Sequence, residues 1–165
     1  MNASNRAVYT VAAVVMACTI LWPASAARAQ AAHEHAHAAS GAAVTQVQLD
    51  DGRKWPTDAS LRAGMAEIRK AFDADHPAIH AGKETDKQYD ALAARVTTAV
   101  DGIVANCRLP PAADANLHYL IADLMQGASL MRGQDPATSR HDGAALVHGA
   151  LLAYGKYFDD PGWTP

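Results

Sequence analysis

Cysteine, phenylalanine and tryptophan are scarce in this chain of 165 residues, with only two, two and three copies. Cys18 lies in a leader-like segment, which leaves Cys107 without an intrachain partner and excludes a disulfide-built scaffold. There is no glycine-rich nucleotide loop, no C-x-x-C-H attachment motif for haem, and no nucleophile motif around Ser129, Ser139 or the histidines. These absences argue against nucleotide-dependent chemistry, covalent haem and a triad hydrolase, so the chain reads as a non-enzyme. Paired acids at Asp50-Asp51 and Asp159-Asp160 fall in turn contexts, where carboxylates serve the backbone. Beyond Trp22 no apolar run approaches the roughly 20 residues that span a bilayer.

What is present begins with an export signal. Arg6 stands in a short polar start, Val8 to Trp22 is apolar, and Ala27-Arg28-Ala29 before Gln30 supplies small residues for cleavage. A lipoprotein reading would place Cys18 at the cut, but Thr19-Ile20-Leu21-Trp22 continues the apolar run where a polar tether is required. Removal of residues 1–29 takes Arg6 and Arg28 and no acid, leaving 12 basic against 17 acidic side chains and a net charge of −5. That balance argues against nucleic acid as a partner. The expected location is periplasmic or secreted, and about 135 residues are enough for one domain with a core.

Residues 30–43 form a histidine-containing arm, and residues 44–165 a single domain. Val44 to Leu49 reads as extended, with Asp51-Gly52 as a hairpin turn returning the chain towards Trp55. Four segments then carry apolar residues at helical spacing. The first runs from Asp58 to Asp75 with Thr57 as N-cap, buries Leu61, Met65, Ile68 and Phe72, and stops at His76-Pro77. The second, Asp86 to Cys107, places Tyr89, Leu92, Val96, Val100, Ile103 and Cys107 on one stripe. The third starts near Pro111 and ends near Met131, with Gly133 as its cap. The fourth runs from Asp142 to Phe158. The expected fold is all-α, an up-down-up-down antiparallel four-helix bundle with a short N-terminal hairpin or extended segment.

This topology gathers Met65, Cys107 and His118 at one end, flanked by Trp55 and Trp163. A thioether, a thiol and an imidazole suit copper(I), with zinc open to the thiolate and imidazole. Cys107 has two other readings, as a small buried hydrophobe and as a redox-active or intermolecular thiol. The opposite end holds Phe72, Tyr89, Met131, His141 and His148, with His76 and His80 in the first connection. Pro77 argues against a continuous helical pair of those two histidines. In the arm, His33, His35 and His37 alternate along flexible chain, a tract that captures copper(II), nickel(II) or zinc.

The segment LRAGMAEIRKAF around Met65 and the segment LLAYGKYF near the end resemble the small periplasmic haem-binding bundles of the soluble cytochrome b type. The resemblance covers residues 57–158 as a pattern. It implies a four-helix fold in which Met65 matches the family's haem-ligating methionine. The matching histidine is absent, because Gly155 stands there, so haem binding is not carried over. His118 is the residue that would have to replace it. Lys54 to Arg69 and Asn106 to His118 are also similar to small proteobacterial exported proteins, a similarity that implies no activity. The expected function is therefore soft-metal binding or buffering by a copper-type site. A protein-interaction or stress-response module, with Trp55 and Trp163 as its surface, is the alternative, and a haem or electron-transfer protein the third.

Overall fold

Each apolar stripe becomes a helix in the computed structural model, which describes residues 43–163. The signal segment, nearly all of the arm with His33, His35 and His37, and residues 164–165 lie outside the described residues. The helices are α1 (Ala59–His80), α2 (Asp86–Asn106), α3 (Pro111–Met131) and α4 (Arg140–Tyr157). Their starts satisfy the amide groups that a first turn leaves free. Thr85 with Gln88 and Ser139 with Asp142 form capping boxes, and α3 begins with Pro111, whose missing N–H costs nothing there.

The cap of α1 is Asp58 rather than Thr57. The Asp58 carboxylate accepts the Leu61 N–H at 2.7 Å, while the Thr57 hydroxyl donates to the Asp159 carbonyl at 2.7 Å. Pro77 does not end α1, which continues to His80. The proline withdraws the donor that would serve the carbonyl of exposed Asp73, and buried Ile79 anchors the last turn. Cys107 is also displaced from its expected place. It is the extended C-cap of α2 and only half-buried.

Leu61, Met65, Ile68 and Phe72 of α1 meet Leu92, Val96, Val100 and Ile103 of α2 in one core with Leu117, Leu120 and Leu124 of α3 and Val147, Leu151 and Tyr154 of α4. Burying each large aliphatic side chain contributes about 1.5–3 kcal/mol. Gly64 faces Ile103, Arg132 reaches the Ala93 carbonyl and the Thr97 hydroxyl, and Gly127 meets Gly143. The Gly64–Ile103 and Gly127–Gly143 contacts each join the first half of one helix to the second half of its neighbour, the relation expected of antiparallel helices with short connections.

The N-terminal segment departs from the extended reading. Val44–Gln46 is a 3-10 turn whose first amide, on Val44, donates to the buried Asp123 carboxylate at 3.0 Å. The Asp51-Gly52 turn is present, closed by Asp50 and Arg53. Beyond it β1 (Trp55–Pro56) pairs in parallel with β2 (Phe158–Asp159), so Phe158 leaves the helix and ties the end of α4 to the entry of α1.

Between α3 and α4, a Cβ on Gly127 would lie 2.6 Å from the Gly143 carbonyl oxygen and 2.8 Å from Val147. Backbone cannot yield as a side chain can. Gly127→Ala is therefore expected to lose about 1–3 kcal/mol in urea denaturation, and a melting curve equal to that of the parent would contradict this helix contact. A Cβ on Gly64 would lie 2.3 Å from Cγ1 of the buried, β-branched Ile103 side chain, so Gly64→Ala is expected to cost a comparable amount.

Candidate functional site

The three soft-ligand residues occupy different environments. Met65 is fully buried in the core. Cys107 is half-buried at the rim, where its thiol donates to the Asp58 carboxylate. His118 is on the outer face of α3 with its side chain 66% exposed, and its Nδ1 donates to the Asp114 carbonyl at 2.8 Å. Core, rim and solvent face are thus represented by one residue each.

Burial first, and then the Asp58 carboxylate, push the Cys107 thiol up to about 11 from its ordinary 9.0. Burial also acts to raise the Asp58 carboxyl, but the amides of Leu61 and Arg108 and the Cys107 thiol outweigh it and hold the group below its usual value. The Arg108 N–H···Oδ2 distance is 2.6 Å. The cap of α1 and the end of α2 therefore share one carboxylate, and burial together with that carboxylate keeps the thiol protonated. A protonated thiol is a poor metal ligand and a poor nucleophile.

Gly155 has a packing reason. A Cβ there would lie 2.5 Å from the Trp163 ring nitrogen, so the indole occupies the space that a side chain at this position would need. Trp163 also contacts Tyr154 edge-on at 4.7 Å and lies under the Arg69 guanidinium at 4.9 Å. Tyr154 is fully buried; its hydroxyl donates to Asp160 at 3.0 Å, and burial raises its pKa. Trp55 donates its ring N–H to the Gln48 carbonyl at 2.6 Å. Both indoles are engaged within the fold.

No family model matches this chain, and neither curated proteins nor solved structures contain a match. Function has to be argued from the side chains themselves.

The far end of the bundle gathers imidazoles. Because α1 continues through Pro77, His76 and His80 stand one turn apart on the same helix, with ring centres 6.1 Å apart. His148 of α4 comes within 5.6 Å of His76 and stacks on Phe72 at 5.2 Å and 15°. These four residues line a cavity of about 210 Å³ together with Ile79 and His141. All four histidines are solvent-accessible. Among the described residues no three histidine, cysteine, aspartate or glutamate side chains stand in ligating geometry as placed. The sequence reading missed the His76 and His80 pair by ending α1 at Pro77. Ile79, two turns beyond Phe72, was the signal that the stripe goes on.

Two expectations follow. In the folded chain the Cys107 thiol keeps its proton between pH 9 and about 11, whereas an unfolded thiol loses it near 9.0. Its stabilising share is complete below pH 9 and disappears as pH rises through the folded value. Reaction of Cys107 with a disulfide reagent should accelerate with an inflection near pH 11, and an inflection at or below 9 would contradict the burial of the thiol against Asp58. Gly155→Ala, made in a Trp22→Phe, Trp55→Phe background, should shift Trp163 emission to longer wavelength as the indole is pushed into water. An unchanged spectrum would mean that Trp163 does not sit on Gly155.

Proposed function

We propose that this protein binds and buffers a divalent transition-metal ion outside the cytoplasm, and that its ligands are imidazoles rather than sulfur. The observation that carries the reading is the gathering of His76, His80, His141 and His148 around one cavity open to solvent. Neutral imidazole suits copper(II), zinc and nickel(II), with copper(II) bound most tightly by a given nitrogen site. The sulfur groups offer little competition, since Met65 is sealed in the core and Cys107 holds its proton. This moves the expected chemistry from copper(I) towards the divalent ions.

Export belongs to the same reading and is supported by Arg6, the apolar run to Trp22 and the Ala27-Arg28-Ala29 cut site. His33, His35 and His37 would follow that cut closely in sequence, and a tract of alternating histidines collects ions at modest affinity. Among the described residues no helix is long and apolar enough to cross a membrane. Haem plays no part in the proposal, because Trp163 covers the position of the missing histidine.

Calorimetric titration of the full chain, purified without an affinity tag, with zinc and with copper(II) tests the reading. One tight equivalent should survive His33, His35 and His37→Ala, leaving only weaker additional binding lost. The same equivalent should disappear when His76, His80, His141 and His148 are all changed to Ala. Absence of stoichiometric binding, or its complete loss in the arm variant alone, would overturn the assignment to the bundle.

A further inference from the structure

We infer that His76 and His80 of α1 and His148 of α4 form one three-imidazole site, so that the bound ion clamps the last turns of α1 to α4. The inference rests on the metal-binding reading above and adds the ligand set and its mechanical consequence.

His76 is the residue the other two share, with its ring centre 6.1 Å from that of His80 and 5.6 Å from that of His148. Zinc–nitrogen bonds of about 2.0–2.1 Å put the ring centres of two imidazoles sharing a tetrahedral ion about 5 Å apart. The His76–His80 and His76–His148 separations exceed that by about 1 Å or less, and because no three ligating groups stand together as the side chains lie, binding requires the exposed His80 and His148 rings to turn towards one ion in the cavity. Residues four apart on a helix project from the same face, so His76 and His80 are a chelating pair once α1 is continuous. Pro77 lies between them in sequence, and α1 runs unbroken through it.

Phe72 gives the cluster its orientation. It is buried, it packs against His76 with ring centres 5.4 Å apart and 30° between planes, and it stacks on His148. One apolar ring therefore backs two ligands and leaves their other sides to the cavity. His141, one helical segment earlier on α4, lines the same cavity. In the proposed site His141 or a water would complete a tetrahedral ion at an exchangeable position. Such a position lets a buffering site load and release its ion.

The clamp follows from which helices supply the ligands. An ion held only by His76 and His80 touches α1 alone, whereas His148 makes it a cross-link between the first and last helices. Three measurements on the full chain test this, using zinc as the probe. Zinc affinity should fall at least tenfold in His76→Ala, in His80→Ala and in His148→Ala, and by less than threefold in His141→Ala. Amide exchange across the last turn of α1 and the first half of α4 should slow on zinc addition in the parent. In His148→Ala that slowing should be absent from α4 while α1 still responds. Circular dichroism of the metal-free variants should match the parent, since all these side chains are at the surface.

The outcomes separate the two claims. Full zinc affinity in His148→Ala, with loss in His76→Ala and His80→Ala, would place the ion on α1 only and refute the clamp while metal binding stands. Equal affinity in every pocket variant would put the ion elsewhere and refute the clamp too. No stoichiometric zinc binding by the parent would refute both.

Discussion

The backbone contact between Gly127 and Gly143 sets the position of α4. Neither residue leaves room for a Cβ, since one added to either would come within 2.6 Å of the other's carbonyl oxygen. Two helices that approach this closely have little freedom to slide or roll, because backbone groups rather than adaptable side chains define the contact. The start of α4 is then held against the end of α3, and Arg140 adds a second tie. Its guanidinium donates to Asp90 at 2.6 Å and to the Met131 carbonyl, joining the beginnings of α2 and α4 to the end of α3. From that fixed start the next two turns of α4 carry His141 and His148 towards the end of α1.

The two ends of the bundle consequently differ in chemistry. At one end, polar groups are consumed by the fold. Asp58 caps α1, bonds the Arg108 amide and holds the Cys107 proton, while Tyr154 and Asp160 bond to each other under Trp163. The short parallel pair of Trp55–Pro56 with Phe158–Asp159 closes this end over the core. At the other end, imidazoles surround an open cavity and their hydrogen-bonding capacity is not spent on closing the structure. The contrast is what moves the metal-binding proposal from the sulfur residues to the histidines.

Much of the architecture is legible in the chain. The stripes Leu61, Met65, Ile68, Phe72 and Tyr89, Leu92, Val96, Val100, Ile103 are buried where a helical period puts them, and Pro111 begins α3. Misreadings arose where a local rule met a tertiary contact. Pro77 reads as a stop, yet Asp73, whose carbonyl loses its donor, is exposed and Ile79 pulls the final turn inward. Thr57 reads as a cap, yet Asp159 from the other end of the chain takes its hydroxyl and Asp58 caps instead. Gly155 reads as the absence of a histidine, whereas in the fold it is the seat of Trp163.

The sequence by itself determined four amphipathic helices, their approximate ends and the kinds of ligand atom the protein has to offer, because period, caps and residue type are all local properties. Only the tertiary structure decided which of those atoms meet. Met65, Cys107 and His118 share an end by topology and yet occupy core, rim and surface, while His76, His80 and His148 share a cavity. The difference depends on how far each helix is rotated about its axis and how closely it approaches its neighbour. Those quantities are set by contacts such as Gly127 on Gly143, between residues that no local pattern connects.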